Sequence, residues 1–139
     1  MAKHLFSWPV RVYYEDTDAG GVVYHSNYFS FCDRCRTEWL RSLGYSQVDL
    51  MQKDDLCFVM HKLEGKFLKS ARMDDDLIVH MDLAERTPTR LIFNQVITWK
   101  NAAETDKPAF IARVEIVCVK LSKMKPCEIP QPIVDALTK

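Results

Sequence analysis

The chain has 139 residues, and its 19 Lys and Arg balance 19 Asp and Glu, so it carries no formal net charge. That length suits one domain over residues 1–139, and 47% hydrophobic with 27% charged residues excludes collagen-like and low-complexity classes. Zero net charge argues against a general nucleic-acid binder, which carries a basic excess.

The N-terminus has no apolar run of signal-peptide length, and no stretch approaches the roughly 18 apolar residues of a membrane span. Five cysteines form an odd set without the spacing of a disulfide framework. Together these features predict a cytoplasmic protein in a reducing compartment.

The first strand is predicted over Val10–Glu15, where Val10, Val12 and Tyr14 alternate with Arg11, Tyr13 and Glu15. Asp16–His25 carries two adjacent glycines and little periodicity, and reads as a loop. Asn27–Leu43 changes to helical spacing, with Tyr28, Phe31, Cys32, Cys35, Trp39 and Leu43 three or four residues apart. Ser26 or Asn27 is the candidate N-cap, and Gly44 stands where a helix ends on a left-handed residue.

Four strands are predicted next, over Phe58–Leu68, Leu77–Ala84, Arg90–Lys100 and Ala109–Leu121. Gly65 is the candidate site for a bend in the first of these. The tail, Lys123–Lys139, reads as irregular with a closing helical turn. The order predicts an α+β fold, one long helix wrapped by an antiparallel sheet. Such a sheet leaves an edge and a face open, so at least a dimer is expected.

Tyr14 to Tyr28 is the segment richest in chemistry. It places three carboxylates, paired glycines and a histidine just before a helix start. A helix N-terminus offers free N–H groups and partial positive charge, which stabilise a developing oxyanion. A carboxylate nearby can act as general base or nucleophile on a carbonyl. An acidic loop whose Asp residues cap turns is the plainer alternative.

The run from Val10 to Tyr28 resembles the hotdog-fold acyl-CoA thioesterases of the 4-hydroxybenzoyl-CoA thioesterase branch, and within it the Tol–Pal-associated YbgC-like group. The resemblance continues through Arg34–Arg41, Ala71–Asp75, Cys118-Val119 and Lys123–Pro126. It implies a five-stranded antiparallel sheet around the helix, and dimers or tetramers with sites between subunits. It implies Asp18 as the catalytic carboxylate and His25 as the position that meets the thioester carbonyl. Tyr14, Gly21, Val22 and Tyr24 are the implied neighbours of the substrate.

Coenzyme A would be part of the substrate, with no separate cofactor and no metal. Its phosphates need cations, for which Lys66, Lys69, Arg72, Arg86 and Arg90 are the candidates. An acyl carrier protein is a further candidate partner. A non-catalytic acyl-binding module attached to a cell-envelope complex is the alternative function, and a dehydratase is weaker still. Cys32 and Cys35 form a C-x-x-C without a second pair, and read as buried small hydrophobes. A metal on Asp16, Asp18 and His25 is a minor reading. His61 and His80 read as structural residues in strand interiors.

Overall fold

A computed structural model describes residues 4–137. Residues 1–3 and 138–139, which the leader and tail readings include, lie outside the described residues. The elements run β1 (Phe6–Arg11), a 3-10 turn (Tyr14–Asp16), α1 (His25–Ser42), α2 (Gln47–Lys53), β2 (Leu56–Phe67), β3 (Asp76–Arg86), β4 (Arg90–Trp99), β5 (Phe110–Lys120), β6 (Lys125–Pro126) and α3 (Gln131–Ala136).

The sheet order is β1-β3-β4-β5-β2, with β6 added to β5, and every pairing is antiparallel. Helix α1 presents Tyr28, Phe31, Cys32, Cys35, Trp39 and Leu40 as a buried stripe. Leu77, Val79, Met81, Leu91, Phe93, Phe110 and Val114 supply the opposing core. Each such side chain contributes about 1.5–3 kcal/mol through burial. This is the α+β hotdog arrangement, a long helix wrapped by a curled antiparallel sheet.

The first strand differs from its predicted span. It ends at Arg11, because the chain turns at Tyr13: the Asp16 carboxylate accepts the Tyr13 N–H at 2.9 Å and folds Tyr14–Asp16 into a 3-10 turn. Helix α1 starts two residues earlier than predicted, after Tyr24, and no side chain caps it. Asn27 instead donates its amide to Asp16 at 2.9 Å. Gly44 takes the left-handed conformation at φ +92°, while the Tyr45 N–H reaches Leu40 O at 3.1 Å and its own N–H reaches Arg41 O at 3.0 Å. That double closure satisfies the last helix carbonyls. Helix α2 has no counterpart in the sequence reading; Ser46 caps it by accepting the Asp49 N–H at 3.0 Å.

Gly65 is not where β2 becomes irregular. The register shift falls between Met60 and Lys62, and Gly65 pairs regularly with Ala112. A Cβ at position 65 would lie 2.7 Å from the Phe110 ring and 3.0 Å from Phe29, so the absent side chain makes room for those rings. His61, read as interior, is exposed on β2 and stands 3.5 Å from Glu115. His80 is half-buried and shares a 2.7 Å hydrogen bond with the Ser7 hydroxyl. Cys32 and Cys35 are fully buried, and burial pushes both thiols up to about 12.

Candidate active site

The loop from Thr17 to Val23 is a small hairpin built from main-chain bonds. The Asp18 N–H donates to Val22 O at 2.9 Å, and the Gly21 N–H donates to Asp18 O at 3.0 Å. Thr17 and Val23 face each other as an isolated bridge. Gly21 sits at φ +78°, a conformation that side chains disfavour. The Asp18 carboxylate is exposed, and its Oδ1 accepts the Gly20 N–H at 2.8 Å. Among the described residues nothing bonds its second oxygen.

Asp16 joins this hairpin to the helix. It is 3% exposed. One carboxylate oxygen accepts Tyr13 N–H, the other accepts the Asn27 amide, and its main-chain oxygen accepts the Tyr24 N–H at 2.8 Å. Beyond the minor metal reading the sequence assigns Asp16 no definite role, because its partners lie three, eight and eleven residues along the chain. On the far side of the hairpin, Val22 bridges Arg72 and the Val23 N–H donates to Ala71 O at 2.8 Å. The Ala71 N–H in turn donates to the Tyr28 hydroxyl oxygen at 3.0 Å. Burial raises the Tyr28 phenol above its ordinary value, partly offset by that bond.

His25 is the first residue of α1. A cleft of about 250 Å³ opens there, lined by Val23, His25, Tyr28, Phe67, Leu68, Lys69 and Ser70. The His25 ring lies 4.3 Å from the Tyr24 ring and 6.3 Å from Phe67. Behind them Tyr28 stacks on Phe110 at 5.2 Å, and Phe29 meets Phe110 edge-on at 5.2 Å. Of this segment the sequence singles out only Lys69 for the site; Phe67, Leu68 and Ser70 are not assigned to it, since only the β2–β5 register brings that strand end beside α1. Of the residues expected at the site, His25 and Lys69 line this cleft, whereas Tyr14, Asp18, Gly21, Val22 and Tyr24 are not among its lining residues.

The five candidate cations separate. Lys69 lines the cleft, with its Nζ 5.4 Å from the centre of the Trp99 ring. Arg72 reaches the hairpin through its main chain. Lys66 lines a different groove with Glu64, Asn94 and Arg113. Arg86 and Arg90 belong to the opposite end of the sheet. Arg90 is level with Val117 while Ile97 is level with Phe110, and seven strand residues span about 23 Å. Arg90 is also paired with Glu115 at 2.9 Å. One protomer therefore does not bring Arg86 and Arg90 to the His25 cleft; strand register, invisible in the sequence, sends them away. Among the described residues no cluster of His, Cys, Asp or Glu is arranged to hold a metal ion.

The chain belongs to the thioesterase-like superfamily, whose family model matches residues 12–137. It is 42% identical over 133 residues to the acyl-CoA thioesterase YbgC of Haemophilus influenzae, covering 96% of this chain and 94% of that protein. It is 46% identical over 134 residues to the acyl-CoA thioester hydrolase YbgC of Escherichia coli O6:H1, covering 96% of each. Its fold matches the crystal structure of a 1,4-dihydroxy-2-naphthoyl-CoA thioesterase from Synechocystis with TM-score 0.86 and 25% identity, covering 96% of both chains.

Proposed function

We propose that this protein hydrolyses acyl-CoA thioesters to a free acid and coenzyme A. The observation that carries the reading is the Asp18 hairpin held by Asp16 against the start of α1, where a cleft opens. In this reading the thioester carbonyl accepts the His25 N–H at the helix terminus, whose partial positive charge stabilises the oxyanion. Oδ1 of Asp18 stays with the Gly20 N–H, and Oδ2 serves the reaction. It either attacks the carbonyl carbon, forming an acyl-aspartyl anhydride that water then cleaves, or takes a proton from water as the water oxygen bonds to that carbon. In both routes the C–S bond breaks, and the coenzyme A thiolate leaves and takes up a proton. Single turnover in water labelled with oxygen-18 puts label into Asp18 only when water opens the anhydride at the aspartyl carbonyl, and trapping an acyl-aspartyl enzyme by rapid quench detects the anhydride route whichever carbonyl water attacks.

A second copy of the chain completes this site in our reading. Strand β2 is a sheet edge, and every residue from Met60 to Phe67 is exposed. Met60, Leu63 and Phe67 are apolar among them, and a long apolar edge invites pairing. Two β2 edges joined antiparallel about a two-fold axis lay the start of one β2 beside the end of the other. The basic end of the partner's sheet then approaches the cleft, a geometry that gives Arg86 and Arg90 access to coenzyme phosphates. Lys69 supplies positive charge from the same chain. Five free thiols suit a reducing, cytoplasmic compartment.

The test is a free-thiol release assay on short, long and aromatic acyl-CoAs and on an acyl carrier protein thioester. The reading predicts enzyme-dependent release of coenzyme A from at least one acyl-CoA class. Tight binding across the whole panel without release would replace it with a non-catalytic acyl-binding module.

A further inference from the structure

The C-x-x-C of the helix draws attention in the sequence, but the pair whose thiols share a hydrogen bond lies elsewhere in the fold. Cys118 and Cys127 sit nine residues apart and meet across the β5–β6 hairpin. The register that pairs Val119 with Pro126 and Lys120 with Lys125 places Cys118 opposite Cys127. The Cys127 N–H donates to Cys118 O at 2.9 Å. Their sulfurs are 3.7 Å apart and share a hydrogen bond. Directly opposed antiparallel residues have Cα atoms about 4.5–5.5 Å apart, which falls within the disulfide range of about 4.4–6.8 Å. Only a short side-chain movement separates the two thiols from a bond.

We infer that Cys118 and Cys127 form an oxidisable dithiol site, which a hydroperoxide converts to an intramolecular disulfide. The two sulfurs differ in access: Cys118 is fully buried, whereas Cys127 is partly exposed. Burial, then the hydrogen bond with Cys127, pushes the Cys118 thiol up to about 12. The peroxide therefore meets Cys127 first. Its thiolate attacks the O–O bond, gaining one oxygen as sulfenic acid and releasing hydroxide or an alkoxide. The Cys118 sulfur then attacks the sulfenic sulfur, an S–S bond forms, and water leaves with the displaced oxygen and the Cys118 proton. Two thiols are oxidised by two electrons and one peroxide is reduced. The bond ties β6, and with it the start of the tail that carries buried Ile133, to β5. Cys57, one residue before the position that pairs with Cys118, is the nearest competitor.

The experiment treats the full-length protein with hydrogen peroxide, alkylates it under denaturing conditions, digests it with trypsin and maps the peptides by mass. Lys120 and Lys123 lie between the two cysteines, so a link joins two separate peptides. The expected result is a Cys118–Cys127 linked pair that has lost two hydrogen atoms and is restored by dithiothreitol. Exposed Met124 serves as an internal dose meter through its sulfoxide. The inference is overturned if both thiols still alkylate at doses that oxidise Met124, or if Cys57 takes either partner. Wild-type mapping decides this without a variant; Cys127→Ala is expected to abolish the link, and a persisting loss of two hydrogens would contradict it. The linked protein is also expected to melt above the dithiothreitol-treated sample, and an unchanged or lower Tm contradicts a bond that fits the native hairpin.

Discussion

Replacing Asp16 with Ala removes a side chain that links the turn leading into the hairpin to the helix. Two hydrogen bonds disappear, from the Tyr13 N–H and from the Asn27 amide, each 2.9 Å long and both received by a carboxylate that is 3% exposed. Hydrogen bonds to charged groups contribute about 1.5–3 kcal/mol apiece. Water reaching the freed donors returns part of that, so the net cost is about 2–4 kcal/mol. For a domain of this size Tm falls roughly 3–4 °C per kcal/mol, giving a drop of about 6–15 °C. Asp16→Asn retains one acceptor oxygen but turns an amide donor toward a donor, and is expected to lose about half as much. Turnover should suffer as well, since the Asp18 hairpin loses its anchor: kcat falls at least about tenfold, with a smaller change in KM. Thermal melts and thiol-release kinetics on the two variants provide the check. An Asp16→Ala protein with wild-type kcat and a Tm within about 2 °C of the parent would refute the role given to this carboxylate.

Other perturbations probe other parts of the account. Gly65→Ala forces a Cβ to within 2.7 Å of the Phe110 ring; overpacking of this kind costs about 1–3 kcal/mol, and an unchanged urea midpoint would show that the rings move freely. Leu63→Lys puts a charge in the middle of the exposed β2 edge. Sedimentation should report a monomer with much reduced thioester hydrolysis, while a fully active monomer would exclude a site shared between copies. Burial, and then the neighbouring His4, hold His80 below the ordinary histidine value, with Asp82 opposing them. The unfolded chain then binds a proton near pH 6.5 that the folded protein resists. Stability is therefore lost as pH falls below about 6.5 and regained above it; His80→Gln should decline less between pH 7.5 and 5.5, and equal slopes in urea unfolding would contradict the sign.

The alternation in β3, β4 and β5 made the core readable from sequence, because one face of each is buried, although Ile92, Val117 and Val119 are buried on the other face as well. Leu77, Val79 and Met81 in β3 and Phe110, Ala112, Val114 and Ile116 in β5 are buried as their spacing predicts. The helical stripe from Tyr28 to Trp39 was readable for the same reason. The boundary of β1 was not, since Tyr13 to Glu15 continue the alternation while the Asp16 carboxylate bends the chain. Helix α2 was missed because its seven residues bury only Leu50 and carry no sustained period.

At the site, local chemistry was legible: an Asp-Ala-Gly-Gly loop shortly before a helix start. Tertiary partnerships were not. Asp16 with Asn27, Phe67 beside His25, and Arg86 and Arg90 at the far end of the sheet all depend on register. The Cys118–Cys127 pair depends on it too, and had no spacing motif to announce it.

Asp18→Asn tests the central claim most directly. The substitution preserves shape and leaves an oxygen to accept the Gly20 N–H, and the exposed position predicts a Tm change small enough to correspond to roughly 0.5 kcal/mol or less. Steady-state release of coenzyme A from the best acyl-CoA should show kcat reduced by about 10²–10⁴-fold, with KM changed only a few-fold. A well-folded Asn variant that turns over within a factor of about ten of the parent would contradict the account.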